Sequence, residues 1–447
     1  MNEQEQITEE EGKNKAKRSR AWRGILACVL ALFFLGVGFL AGWFGYYGAL
    51  GERNRSLIWS IETLKKNYYL TIDEKELYDK LFSALEVDPY TRYYTEEEYE
   101  AVTKKQQGTN RGYGFSLSNI EAEDYPRVYS VVENSPAQHA GFKKGMYLYA
   151  YGGDGDNLKE GNNSDILAFT SEWEGELYFK CGFSKDGSDG KIVHMKAASY
   201  PAAYCSYRDS QTSFGFRGES KAELTETDDP LALLPADTAY IRIDSFNGNA
   251  AWEFETLLDK MHERGRSNLI LDLRSNGGGL LSIFLKIASH LTKNASAGKN
   301  VLAKAIKRDG KEMLYTSSHC DYYKYFTEGS KIKILADEYT ASASECLIGA
   351  MHDYGTVAYE DIFLRKSEGA VARTYGKGIM QSSFTDWDGN VLKLTVAKIY
   401  WPNGRSIHKT DDFEGGVSEV DGAKGVLSPV LWGEEDALIK EAVFSLR

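Results

Sequence analysis

Asn268-Leu-Ile-Leu-Asp-Leu-Arg-Ser-Asn-Gly-Gly-Gly-Leu280 begins with an almost unbroken apolar run and then turns through three glycines. A run without polar alternation predicts a strand covered on both faces. Taken alone, the Asn276-Gly-Gly-Gly279 turn reads as an ordinary strand-to-helix turn needing positive φ. The spacing then predicts a helix over 280–291. Upstream, Thr238 to Phe246 alternates as a strand and Ala250 to Arg264 reads as an amphipathic helix. Downstream, Lys331 to Ala336 reads as another strand, followed by a helix beginning at Ser342. This alternation predicts an α/β core. Residues from Arg373 to Ile407 return to strands, with Asp388-Gly-Asn390 as a hairpin turn. A last helix is expected from Glu434 to Ser445.

Chemistry enters at Thr340-Ala-Ser-Ala-Ser-Glu345 and Tyr375-Gly-Lys-Gly-Ile-Met-Gln381. A serine hydroxyl attacks only when a neighbouring base takes its proton, and lysine is one such base. The lysine must be neutral. Lowering its pKa from about 10.4 to about 7 costs roughly 4–5 kcal/mol and requires a buried, mostly apolar site. Lys377 sits between Gly376 and Gly378, which allow close backbone approach, and Gln381 could hold its amine without adding charge. The plain reading of Ser342 and Glu345 is a capping box that opens the helix. Both readings are compatible, because a helix start supplies unpaired N–H groups where an oxyanion would be held. Ser342 and Ser344 point to different sides of a helix, and the chemistry alone does not choose between them.

Together these stretches resemble the carboxyl-terminal processing peptidases, also called tail-specific serine proteases. The resemblance implies a crotonase-like α/β core of strand-helix repeats carrying an inserted PDZ domain. It also implies Ser342 as nucleophile, Lys377 as base, Gln381 as the residue orienting it, and the N–H groups of Ala343 and Gly278 as oxyanion donors. Asp353, eleven positions after Ser342, is implied as an assisting or structural acid. No cofactor and no metal are implied. Two departures stand out. Ser342 and Lys377 lie thirty-five positions apart, more than is usual in the family, and the extra length falls in 361–373, which reads as a surface loop. Gly425-Val-Leu-Ser-Pro-Val430 also lacks the aspartate common near the end of the core.

The same resemblance covers the first half of the chain. Asp88-Pro-Tyr-Thr-Arg-Tyr-Tyr94 is similar to a run that precedes the PDZ domain in this family. Thr95 is expected to cap the helix from Glu96 to Gln106. Residues 111–200 resemble the PDZ domain itself, with Gly112, Tyr113, Gly114 and Phe115 as the loop and strand that receive a peptide's carboxyl terminus. The implied partners are protein or peptide substrates held by their C-terminal tails, and the family's tendency toward dimers implies a homodimer.

A net charge of −12 argues against nucleic acid as a partner. The strongly basic run, 13–23, precedes twenty-four uncharged residues, 24–47. At about 1.5 Å per residue these reach roughly 36 Å, enough for a hydrocarbon core of about 30 Å. The charge asymmetry predicts a cytoplasmic tail over 1–23, a single-pass signal anchor in the cell membrane over 24–47, and an extracytoplasmic remainder. The remainder divides into a helical segment over 48–110, the PDZ-like region, and a core over 201–447. Outside the span, four cysteines allow three pairings, and none has CxxC spacing. Zinc hydrolysis is disfavoured for want of HExxH. Two rivals remain: a hydrolase using His352, which would lie about 15 Å along the helix from Ser342, and a non-catalytic PDZ receptor on a peptidase-like scaffold.

Overall fold

The structure is a computed structural model that describes residues 22, 26, 28–42, 45, 48, 50–68, 71–118, 125–132, 134–173, 175–217, 223–293, 300–317, 321–428 and 436–447. Residues 28–42 form one continuous exposed helical stretch. Among the described residues no helix is long and apolar enough to cross a membrane. The expected 1–23 tail, apart from Trp22, and positions 24, 25, 27, 43, 44, 46 and 47 of the expected span lie outside the described residues. The chain divides into two units, 1–84 and 85–447.

In the first unit, Glu52–Asn67 and Glu74–Ser83 are helices without buried residues. Asp73 caps the second by accepting the Glu76 N–H at 3.1 Å. Leu57, Ile58 and Leu64, an apolar stripe in the sequence, are exposed.

The second unit is built on an eight-stranded sheet. Five strands run parallel in the order Thr238–Ile243, Asn268–Asp272, Ile332–Ala336, Ile362–Lys366 and Lys424–Leu427. Cys205–Arg208, Ser213–Arg217 and Glu223–Thr227 extend it antiparallel beyond the first of these. Every residue of Asn268–Asp272 and of Ile332–Ala336 is buried. Alternate side chains explain why. Leu269, Leu271, Ile334 and Ala336 face one cluster with the helices Ala250–Glu263, Leu281–Leu291 and Ala343–Asp353. Ile270, Leu335 and Phe363 face the opposite cluster with Leu438, Ile439 and Val443 of the last helix, Ala437–Phe444. Strands with a helical layer on each face have no solvent side, hence their mostly apolar sequence, and the buried Lys333 is paired with Asp361 at 2.6 Å.

This arrangement corrects the first part of the reading of 361–373 as a surface loop, while 367–371 is an exposed turn as expected. Ile362–Lys366 is an interior strand, and Ile362, Phe363 and Leu364 are at most 1% exposed. Three apolar residues between charged neighbours are too few to announce a strand by period, and the two parallel neighbours supply what the pattern lacks.

Thr109–Gly112 pairs with Ala198–Pro201, so a β-rich insert enters and leaves the chain side by side. Between them lies a five-stranded antiparallel sheet in the order Phe115–Ser118, Arg127–Val131, Tyr147–Gly152, Glu176–Gly182 and Lys191–Lys196. Its own core includes Val128, Phe142, Leu148, Leu177 and Phe179. A further sheet joins Arg92–Tyr94 to the long strand Val391–Tyr400, which also pairs with Ile379–Thr385. That sheet carries the Asp88 to Tyr94 stretch to the strand that follows Lys377. Cys181, Cys205 and Cys346 are buried free thiols, and Cys320 lies outside the described residues.

The two layers meet around a buried ionic group. Arg274, 1% exposed, bonds Asp272 Oδ2 at 2.6 Å and Asp436 Oδ2 at 2.5 Å, and the Tyr240 hydroxyl donates to Asp272 at 2.5 Å. Burial alone would push the Asp272 carboxyl up, but the Arg274 and Arg242 guanidiniums reverse this and hold it well below the usual carboxylate range. Removing one member of such a group leaves uncompensated buried charge. Arg274→Met is expected to cost about 3–5 kcal/mol in urea unfolding; a loss below about 1 kcal/mol would mean that the two carboxylates find other compensation.

Candidate active site

The parallel strands Asn268–Asp272 and Ile332–Ala336 each end in a turn, and the two turns are stapled together. The Asn276 carbonyl accepts the Ala341 N–H at 3.0 Å and the Ser344 hydroxyl at 2.9 Å. The Thr340 hydroxyl donates to the Leu273 carbonyl at 2.9 Å. Ser344 is therefore a fully buried structural serine. The Ser342 hydroxyl, by contrast, has no hydrogen-bond partner among the described residues. The Asn276 carbonyl thus engages the Ser344 hydroxyl and leaves that of Ser342 open.

Ser342 stands at the head of the helix Ala343–Asp353 with φ 58° and ψ −115°. Only two other described non-glycine residues have positive φ, Asn134 and Ser275, and Ser275 opens the glycine turn. Such backbone costs about 1–3 kcal/mol per residue and collects at functional sites. Gly278 lies directly against the serine. A Cβ there would fall 2.8 Å from the Ala343 nitrogen, the Ser342 Cβ and the Ala341 oxygen, at φ +96°. The space beside the Ala343 N–H therefore exists because residue 278 has no side chain. Ala343 is the first helical residue, so its N–H has no intrahelical acceptor. The Gly278 N–H differs from expectation. It donates at 2.9 Å to Asn276 Oδ1, whose amide folds back over its own turn, so this donor is engaged within the turn.

Lys377 reaches the same place through Glu345. That carboxylate is fully buried and accepts four bonds. Oε2 takes the N–H groups of Ser342 and of Lys377, both at 2.9 Å, and Oε1 takes the Gly376 N–H at 2.7 Å and the Thr374 hydroxyl at 2.6 Å. One oxygen thus joins the backbones of the two residues expected to form the dyad. Burial pushes the Glu345 carboxyl up despite these four donors.

The Lys377 side chain is half-buried, with its amine 4.5 Å from the centre of the Tyr90 ring. No hydrogen bond joins it to Ser342 or to Gln381. Its pKa lies below that of an ordinary lysine, chiefly through burial and then through Lys393, while Tyr375, Glu345 and Asp88 pull it back up. Gln381 lies in the strand Ile379–Thr385 beyond a bulge between Met380 and Gln381, and its buried Nε2 has no partner.

Asp353 stands at the far end of the helix and holds a turn, accepting the Asn403 N–H at 2.8 Å and the Asn403 side chain at 2.9 Å. His352 lies beside it, 4.1 Å from the Tyr359 ring centre and bonded to Asp353 Oδ1 at 3.2 Å. Neither touches Ser342 or Lys377. Among the described residues no His, Cys, Asp and Glu cluster suits a metal.

The insert meets the glycine turn directly. The Ser275 hydroxyl bonds the Tyr129 hydroxyl at 3.0 Å, and the Ser275 N–H donates to Asp337 at 2.9 Å. In the insert, Phe115–Ser118 is an edge strand, paired with Arg127–Val131. Gly114 precedes it at φ +81°, where a Cβ would overlap Ser135 at 2.0 Å. The Tyr113 hydroxyl reaches the Trp173 carbonyl at 3.1 Å.

Sequence reasoning missed Glu345 as the hub, Tyr90 and Tyr375 as neighbours of the lysine, and Tyr129 as a neighbour of the glycine turn. Glu345 was visible only as a helix-capping residue. Tyr90 and Tyr375 stand in stretches already singled out, but nothing local places them beside the lysine amine, and Tyr129 has no local pattern.

An α/β core that presents a strained, unbonded serine beside an open helix N-terminus defines a serine-type peptidase fold. Residues 237–418 match the model of peptidase family S41. The probable CtpA-like serine protease of Staphylococcus haemolyticus is 24% identical over 409 residues, covering 89% of this chain and 73% of that protein. The chloroplastic carboxyl-terminal-processing peptidase 3 of Arabidopsis thaliana is 28% identical over 338 residues, covering 75% of this chain and 58% of that one. Among solved structures, a putative S41 protease from Bacteroides fragilis superposes with TM-score 0.51 at 15% identity, covering 85% and 91% of the two chains. Over 237–418 the chain is thus similar to peptidase family S41, and over most of its length to carboxyl-terminal processing serine peptidases.

Glu345→Gln replaces one acceptor oxygen by an NH2 group that must face N–H donors. The expected cost is about 1–3 kcal/mol of stability, read by urea denaturation. An unchanged midpoint would mean that the four bonds contribute nothing net.

Proposed function

We propose that this chain is a membrane-anchored serine endopeptidase working through Ser342 and Lys377, and that residues 111–200 act as a PDZ domain presenting substrate C-termini. The observation that carries the reading is the single Glu345 oxygen bonded to the N–H groups of both residues. It ties the two backbones to one acceptor, which supports a reading in which side-chain rotation brings amine and hydroxyl together.

In the reaction, Ser342 Oγ attacks the peptide carbonyl carbon while the neutral Lys377 amine takes the hydroxyl proton. The charge on the carbonyl oxygen is held by the Ala343 N–H, in the space that Gly278 leaves open. The Gly278 N–H joins it once that bond is shared with or released from Asn276. Lys377 then gives its proton to the leaving amine as the C–N bond breaks. Water attacks the resulting ester with Lys377 again as base, and Ser342 is regenerated. Gln381 orients the amine after it turns from Tyr90. Asp353 serves the fold. The open edge of Phe115–Ser118 supports strand-wise peptide binding, with the loop Gly112 to Phe115 receiving the terminal carboxylate. The uncharged run 24–47 supports anchoring with the peptidase on the extracytoplasmic side.

One observation favours the rival in which peptides are bound and not cut: Ser342 and Lys377 are not hydrogen-bonded. Cleavage of an unfolded protein with an apolar carboxyl terminus separates the readings. Activity is expected to disappear in Ser342→Ala and Lys377→Ala and to persist in His352→Gln. Binding without cleavage by the unaltered protein would establish the receptor.

The base works only when deprotonated, so activity is expected to rise with pH through the pKa of Lys377. Because burial lowers that pKa, the limb should lie below 10.5. A rate still climbing at pH values above 10.5 would contradict a desolvated base.

A further inference from the structure

We propose that Tyr90 is a positioning residue for the base: its ring face parks the Lys377 amine away from Ser342, and the reaction requires the amine to leave that face. The proposal rests on the Ser342–Lys377 reading above and adds to it a residue with a measurable effect.

Tyr90 is held firmly. The Asp88 carboxylate accepts the N–H groups of Tyr90 at 2.7 Å and Thr91 at 2.8 Å, and the Thr91 hydroxyl at 2.9 Å. The Thr395 hydroxyl, on the long strand Val391–Tyr400, reaches Asp88 at 3.4 Å. Arg92–Tyr94 then pairs with Val391 to Lys393, pinning the segment to that strand. The Tyr90 hydroxyl bonds that of Tyr375 at 3.2 Å, and the Lys409 amine lies 3.8 Å from the Tyr375 ring centre, so the ring is anchored at its far end as well. Lys377 sits over its face at 4.5 Å, and no hydrogen bond joins its amine to Ser342.

An aromatic face attracts a cation and not a neutral amine, so the contact favours the protonated, inactive lysine. The other charged or titratable groups facing Lys377 are Lys393 from the long strand, Tyr375 from its own segment, Glu345 from the helix and Asp88 beside Tyr90. Lys393 opposes the charge, the other three favour it, and the ring adds to the three. Because the amine is held by a ring and not by a hydrogen bond, it can turn away without leaving a buried donor unsatisfied on the partner it quits.

The test is the acid limb of the kcat/KM profile against pH. Tyr90→Leu keeps apolar cover and removes the ring, so its limb is expected to move down by about 0.5–1 pH unit, with activity below the limb rising about 3- to 10-fold. Tyr90→Phe keeps the ring and should leave the limb in place. Tyr90→Trp, a stronger cation-binding face, should move it up, which preserves the test if the leucine variant fails to fold. A residue with a purely structural role would lower kcat without moving the limb. A stationary limb in folded Tyr90→Leu, or limbs for leucine and tryptophan moving in the same direction, would overturn the proposal. Labelling of Ser342 by a fluorophosphonate, measured over the same pH range in wild type and Lys377→Ala, separates the two levels. If labelling is equal in both, the dyad reading fails. If labelling depends on Lys377 while the limb ignores Tyr90, only the parking role fails.

Discussion

The site depends on one carboxylate. Glu345 is buried and accepts four bonds: Oε2 joins the serine turn to Lys377, and Oε1 takes Thr374 and Gly376 of the same distant stretch. Taking a carboxylate out of water is costly, and only a full set of donors makes it tolerable. The set here is built from three backbone N–H groups and one hydroxyl, and no cation bonds it. A cation at this point would offset the charge better but would also be a second positive group beside Lys377, opposing its protonation during turnover. Backbone donors carry no such penalty, and they fix the backbones of Ser342 and Lys377 by the same bonds that satisfy the charge.

Strain and stapling complete the arrangement. The positive φ of Ser342 holds its hydroxyl out of the helix-capping position, and the positive φ of Ser275 starts the glycine turn beside it. Neither conformation would persist in an isolated loop. Both are over-determined, because the Asn276 carbonyl ties the two turns, its side chain reaches the Ile243 carbonyl at 2.8 Å, and Asp337 holds Ser275. The insert joins this system through Tyr129 and Ser275, so a displacement of the strand Arg127–Val131 acts on the turn without an intervening residue.

Much of the core was legible in the sequence, since its elements have local causes. The largely apolar strands at Asn268 and Lys331, the amphipathic helix at Ala250 and the Asp388 hairpin each lie where the pattern places them, within a residue or two. Ile362–Lys366 escaped because its three buried residues carry no period, and its place is set by parallel neighbours more than twenty-five residues away. The site was legible as residue types but not as bonds. That Ser344 is structural follows from a carbonyl sixty-eight positions earlier, and that the Gly278 N–H is engaged follows from the side chain of Asn276. Glu345 shows the same limit. Its capping role is local and readable, while its link to Lys377 spans thirty-two positions.

The division between what is rigid and what is not has a mechanistic consequence. Lys377 is fixed at its backbone by Glu345 and flanked by Gly378, where a Cβ would meet the His408 nitrogen at 2.8 Å, so the main chain has little room to move. Its amine is held by a ring face alone, an interaction worth only about 0.5–2 kcal/mol. A barrier of that size is set by side-chain rotation and by desolvation of the amine, and no repacking of the core is required. The long separation between Ser342 and Lys377 does not loosen their backbones, because the path runs through the helix Ala343–Asp353, the interior strand Ile362–Lys366 and an exposed turn, and its return to Glu345 is fixed by hydrogen bonds.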